Sequence, residues 1–223
     1  MDDKIVLICA TGRSGSTSLQ RIINTIPNSN ICGENFGAIN SLLEFYRRIK
    51  YSTTNNIPGH LNPASYDSII TKNIKPAWYN SYNYAQIVQL IKITIINMFK
   101  NNETTNVWGF KEIRYDDGNI NYIEDFKELF PQTKVIIQIR ENIAAQRNSG
   151  WHKNNKNATN FLSKLNKELV DFYNKHNDYC YLTSFEKMFN KNNLQNIFSF
   201  IDCRENYNET KIDEVLNNNI KDK

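Results

Sequence analysis

Four short apolar or β-rich runs punctuate the chain: KIVLICA at 4–10, VWGF at 107–110, KVIIQI at 134–139 and YCYLTSF at 179–185. Runs of this length without regular polar alternation are what strands buried on both faces of a parallel sheet look like. Between them apolar residues recur at helical spacing, over 16–25, 35–50, 82–100, 120–129, 143–152, 159–176 and 193–201. Strands alternating with helices in this way predict a P-loop-like α/β fold of three layers, α/β/α, with a central parallel β-sheet. Beyond 202 the tail reads as a short charged helix with a frayed end.

Residues 51–81 interrupt the pattern, with three prolines, one glycine and no sustained periodicity. A stretch that long without regular structure inside a compact domain is usually functional. With 223 residues and no internal repeat, 1–223 is expected to be a single domain. Within it, 51–106 would be a substrate-side insertion or lid followed by a helix; a tolerated surface insertion is the competing reading.

Composition changes the picture little. Hydrophobic residues make up 40% and charged residues 22%, which excludes wholesale disorder. A net charge of +4 suits an anionic small ligand but lacks the concentrated basic face of a nucleic-acid binder, so no nucleic-acid partner is expected. The basic cluster of Arg47, Arg48 and Lys50 reads as a solvated helix end. No apolar run reaches a membrane-spanning length and the N-terminus has no signal-peptide pattern, so the expectation is a soluble, cytoplasmic protein without a membrane partner. Cys9, Cys32, Cys180 and Cys203 are widely spaced and read as reduced thiols, and no His/Cys cluster has zinc spacing, so no metal is expected. Asparagine, about one residue in six, is the strongest departure from ordinary usage and reads as an AT-rich genome's bias. The sequons at Asn102, Asn157 and Asn208 are what such a chain gives by chance. Oligomeric state leaves no mark that can be read.

The chemistry concentrates after the first strand, where Gly12, Arg13, Ser14, Gly15, Ser16, Thr17 and Ser18 lead into a helical pattern. A strand-to-helix turn at the carboxyl edge of a parallel sheet presents helix N–H groups and the positive end of the helix dipole, which together favour an anion. Two glycines allow close backbone approach and four hydroxyls add donors, making a phosphate cradle; an N-cap cluster beside an ordinary turn would need fewer. A Walker A loop would need Gly in place of Ala10 and Lys in place of Ser16. That departure, with no evident magnesium site, argues against a P-loop nucleotide kinase.

The segment GRSGSTSL resembles the 5′-phosphosulfate loop of the sulfotransferase family, whose donor is 3′-phosphoadenosine 5′-phosphosulfate (PAPS). RSGSTSLQRIINTIPNSNICGENF, at 13–36, is similar to the loop, helix and G-E segment of tyrosylprotein sulfotransferases and of bacterial and carbohydrate relatives. The resemblance implies that Arg13 meets the bridging or sulfuryl oxygens, that the rest of the loop holds the 5′-phosphate, and that Glu34 is the catalytic base. VWGFKEIRY resembles a strand of bacterial members and implies Lys111 near the sulfuryl group. KVIIQIRENIAAQRNSGW resembles the 3′-phosphate signature, a strand ending in Arg followed by a helix carrying Ser. It implies Arg140 with Ser149, or with Asn148 as the alternative. YLTSFEKMF is similar to the late Y-E-D-L strand end, with Phe185-Glu186 in place of Tyr-Glu. The resemblance covers about 4–190, and 51–106 contains no motif that can be placed.

In that chemistry the sulfuryl group passes in line from PAPS to a hydroxyl acceptor, releasing 3′-phosphoadenosine 5′-phosphate (PAP), while the protein positions the reactants and stabilises charge. Lys111 would share a strand face with Gly109 and Ile113, opposite Glu112, and a buried lysine needs an anionic partner: a sulfuryl group or a structural carboxylate. His60 is the substitute base if Glu34 is not one. Trp108 and Trp151 are either core or stacking surfaces. A non-catalytic PAP-binding module remains a further alternative. The acceptor, whether small molecule, glycan or peptide, cannot be read from these motifs.

Overall fold

A computed structural model describes residues 3–53, 83–115 and 119–217. Five strands form one sheet: β1 (Lys4–Ala10), β2 (Ser29–Cys32), β3 (Val107–Glu112), β4 (Lys134–Ile139) and β5 (Cys180–Ser184). Their order is β2-β3-β1-β4-β5 and every neighbouring pair is parallel. Among the described residues the helices are α1 (Ser16–Ile23), α2 (Ala38–Thr53), α3 (Tyr84–Phe99), α4 (Tyr122–Leu129), α5 (Ile143–Arg147), α6 (Ala158–Lys175), α7 (Lys191–Phe200) and α8 (Glu209–Asn217). None is long and apolar enough to cross a membrane.

Alternation along the strands divides the core into two. Ile5, Leu7 and Cys9 of β1 face one layer, with Ile39 and Leu43 of α2, Ile91 and Ile95 of α3, Phe126 of α4 and Leu169 of α6. Val6 and Ile8 face the other, with Leu19 and Ile22 of α1, Ile197 and Phe198 of α7 and Ile212 of α8. This is the expected three-layer α/β/α arrangement, and each fully buried aliphatic side chain contributes about 1.5–3 kcal/mol. Gly109 marks the tightest point of the sheet. Its φ is 154°, it lies in register with Val6, and a Cβ there would stand 1.9 Å from the Val6 carbonyl oxygen.

Some of the abundant asparagines cap helices. Asn83, Asn142 and Asn190 accept hydrogen bonds from the amides of Gln86, Ala145 and Asn193 at the starts of α3, α5 and α7. Two elements differ from the sequence reading. β2 is an unanticipated edge strand of four residues, of which only Ile31 is buried. The helix expected over 143–152 ends at Arg147. Ser149 turns extended, Gly150 adopts φ 59° and a 3₁₀ turn, Gly150–Asn154, follows. The Arg13 side chain packs against this turn: a Cβ on Gly150 would stand 3.0 Å from its Nε. Trp108 is core, 1% exposed with its indole N–H donated to Asp3. Residues 54–82, including His60, and the Trp151 side chain lie outside the described residues.

Candidate active site

All five strands end on the same edge, and each end delivers a residue singled out in the sequence. The chain reverses its direction of winding at β1, with β3 on one side and β4 on the other, which makes the end of β1 the topological switch point where such sheets bind ligands. From there Thr11 to Gly15 form the turn into α1. Arg13 has φ 64° and Gly15 φ 80°, and a Cβ on Gly15 would stand 2.5 Å from the Phe185 ring. Only glycine fits that position.

The turn is wired from behind. The Thr11 carbonyl accepts from the Ser14 hydroxyl at 2.7 Å, the Gly12 carbonyl from Gln146 Nε2 at 2.7 Å, the Arg13 carbonyl from Arg140 Nη1 at 3.2 Å and the Ser14 carbonyl from Gln138 Nε2 at 2.9 Å. In a trans peptide the C=O and the following N–H point in opposite directions. Carbonyls held inward turn the amides of Gly12, Arg13 and Gly15 away from the protein, toward the side where the first-turn N–H groups of α1 are presented, while the Ser14 amide donates back to the Thr11 carbonyl at 3.3 Å. Backbone N–H groups grouped in this way have the geometry of a nest, the kind of concavity that suits an anion. Ser14 is fully buried, so its hydroxyl is part of the wiring; Thr17 is exposed and Ser18 half-buried at the helix start.

Arg140 follows β4 directly. Its guanidinium lies 4.4 Å over the Phe185 ring, while its Nε is buried with no hydrogen-bond partner among the described residues. Glu186, just after β5, accepts from the amides of Glu141 and Asn142 at 3.0 and 3.1 Å, pinning the turn that carries Arg140. Burial draws the Glu186 carboxyl upward, but these backbone donors outweigh it and its pKa falls below the ordinary value. Ser149 meets Arg13, accepting from Nε at 2.9 Å, whereas Asn148 is exposed. His152, behind Arg13, has its pKa lowered by burial first and then by the Arg13 charge.

Across β1 the ends of β2 and β3 supply a second cluster. Lys111 Nζ lies 2.5 Å from Glu34 Oε1; the lysine side chain is 7% exposed and the glutamate 27%. Arg114 Nη1 reaches Glu34 Oε2 at 3.3 Å and Glu112 Oε1 at 2.8 Å. Glu112 is buried and also takes the amides of Ile113 and Arg114 on the same oxygen. Beside the cluster Phe36 stands out from the surface at φ 53°, with Arg114 5.0 Å over its ring.

Gln138, Gln146 and Arg114 were not singled out in the sequence. A glutamine inside the apolar run KVIIQI is the one signal that was available, because a buried amide must find partners. The four cysteines are free, and burial, offset in part by the Tyr115 hydroxyl, pushes the Cys9 thiol up to about 12. Among the described residues no group of three or more His, Cys, Asp and Glu side chains is placed to hold a metal ion.

No curated protein matches the chain. Among solved structures it is similar to a sulfotransferase from Alicyclobacillus acidocaldarius, with 12% identity and a TM-score of 0.45 over 97% of this chain and 90% of that one. A model of the sulfotransferase family matches residues 6–197. That match runs from β1 into α7 and takes in the β1 turn, the Glu34–Lys111 pair, Arg140 and Glu186. The chain belongs to the sulfotransferase family.

Proposed function

We propose that the protein moves the sulfuryl group of PAPS onto a hydroxyl acceptor, with Glu34 as general base. The observation that carries this reading is the 2.5 Å contact between Glu34 and Lys111, on the same sheet edge as the anion nest. The acceptor hydroxyl gives its proton to Glu34 while its oxygen bonds to sulfur. The bond from sulfur to the bridging oxygen breaks, and the negative charge leaves on the 5′-phosphate of PAP. A carboxylate oxygen accepts more than one hydrogen bond, so Glu34 can receive the acceptor while it holds Lys111. As Glu34 is neutralised, Lys111 is released to the sulfuryl oxygens, where charge is building.

The donor fits the other half of the edge. The nest takes the 5′-phosphate, and Arg13, held by Ser149 and packed on Gly150, is set to meet the sulfuryl or bridging oxygens. Arg140 carries a buried donor with no protein partner among the described residues, the state of an arginine that awaits an anion, and we assign it to the 3′-phosphate. Ser149 is already engaged by Arg13 and would join Arg140 only if that bond opened or were shared.

Calorimetry of PAP binding without magnesium, with AMP and ATP as comparators, tests the donor site. PAP is expected to bind and AMP to bind more weakly. In Arg140→Ala the preference for PAP over AMP is expected to fall by about 10- to 100-fold. Equal affinity for PAP and AMP in the unsubstituted protein overturns the 3′-phosphate site, and magnesium-dependent preference for ATP overturns the whole reading. Gln146→Leu removes two hydrogen bonds behind the nest without touching the ligand, and is expected to weaken PAP about tenfold. Unchanged affinity would mean the loop holds its shape without that wiring.

A further inference from the structure

We propose that Arg114 and Glu112 are positioning residues for Glu34: Arg114 fixes the plane of its carboxylate, and Glu112 keeps Arg114 in place while Glu34 changes charge. This rests on the reading of Glu34 as the base. The four side chains form a row of alternating charge, Lys111, Glu34, Arg114 and Glu112. Lys111 and Arg114, three residues apart at the end of β3, meet the two oxygens of one carboxylate from the turn after β2. Lys111 Nζ lies 2.5 Å from Glu34 Oε1 and Arg114 Nη1 3.3 Å from Oε2. The terminal torsion of a glutamate has no sharp minimum, so a carboxylate held by one oxygen turns about its last bond. Held by both, it keeps one plane. A base needs this, because it works only within hydrogen-bond reach of the hydroxyl, and a displacement near 1 Å can cost about 10²-fold in rate.

Arg114 is itself fixed from three directions. Its Nη1 donates to Glu112 Oε1 at 2.8 Å, its carbonyl accepts from Asn40 Nδ2 of α2 at 3.4 Å, and its guanidinium lies 5.0 Å over the Phe36 ring. The Glu112 side chain is 1% exposed, and Arg114 is the one cation paired with it among the described residues. A buried carboxylate is costly unless paired, and stripping it of its partner costs more than forming the pair gains. Arg114 is therefore bound to stay with Glu112. Lys111 differs, because Glu34 is its one ionic partner among the described residues. When Glu34 takes the acceptor's proton both cations lose a partner, but only Lys111 is left with none. That asymmetry sends Lys111 to the sulfuryl oxygens and leaves Arg114 beside Glu34, where it favours loss of the proton to water and return of the carboxylate to the same plane.

The test is formation of PAP from PAPS with water as the acceptor, the smallest hydroxyl and one that needs no binding surface, in Arg114→Met alone and combined with Glu34→Gln. Arg114→Met keeps the apolar stem and removes the charged fork. It should slow the reaction about 10- to 100-fold and leave the calorimetric affinity for PAP unchanged. In the Glu34→Gln protein the same substitution should cost less than about twofold, because no base is left to aim. An equal loss in both backgrounds overturns the proposal, since Arg114 would then hold up the fold or meet the reactants itself; so does no loss in either, or a fall in PAP affinity. Glu112→Gln keeps an oxygen for the Ile113 and Arg114 amides but removes the charge behind Arg114. It should slow the reaction about tenfold, and an unchanged rate returns Glu112 to the fold alone. If Glu34→Gln forms PAP as fast as the unsubstituted protein, the base assignment falls instead. Crystal structures decide the geometry without turnover: the Glu34 carboxylate should take one orientation in the unsubstituted protein and more than one in Arg114→Met. A single, unchanged orientation in both overturns the proposal.

Discussion

Glu34→Gln is expected to bind PAP as the unsubstituted protein does and to turn over about 10²- to 10⁴-fold more slowly. The amide oxygen can still accept from Lys111, so the cluster stays assembled, but an amide cannot take the acceptor's proton. Release of PAP from PAPS in the presence of a hydroxyl acceptor, measured beside the calorimetric affinity for PAP, separates the two effects. A fall in both together would mean that Glu34 holds the site in shape. Turnover that survives with unchanged affinity would place the base elsewhere, and His60 is the next residue to substitute.

Gly109→Ala should be the most damaging single methyl group in the protein. Its Cβ would stand 1.9 Å from the Val6 carbonyl oxygen and 2.8 Å from the Val6 carbonyl carbon, in the pair of strands at the centre of the sheet. Backbone cannot swing aside as a long side chain can, so β1 and β3 must separate or the residue must change conformation. A loss of roughly 4 kcal/mol or more is expected, a large share of an ordinary domain's stability. Urea denaturation followed by circular dichroism measures it, and a midpoint equal to that of the unsubstituted protein would refute the close approach. The same change at Gly37, where no atom lies within 4 Å of the place a Cβ would take, meets only the left-handed backbone.

The central architecture was legible because a parallel sheet demands it: strands covered on both faces must be nearly continuous in apolar residues, and β1, β3, β4 and β5 are. β2 was not, since an edge strand with one buried residue in four carries too little pattern to distinguish it from a loop. The nest was visible as glycines and hydroxyls close together in sequence. What held it was not, because Gln146 and Gln138 lie more than a hundred residues from the carbonyls they bind. The 143–152 segment illustrates the same limit: local spacing read it as one helix, whereas it ends at Arg147 and turns at Gly150 against the distant Arg13 side chain.

The sheet also separates two tasks by strand. Residues assigned to the donor come from the ends of β1 and β4, buttressed from β5, while Glu34, Lys111, Arg114 and Phe36 come from the ends of β2 and β3. Because β3 stands between β2 and β1, the turn after β2 can be rewritten without disturbing the hydrogen bonds that hold the β1 turn. Such a layout lets one turn drift while the other is held fixed, so laboratory selection confined to residues 35–37, with Glu34 kept, can search for new acceptors without touching the residues assigned to the donor.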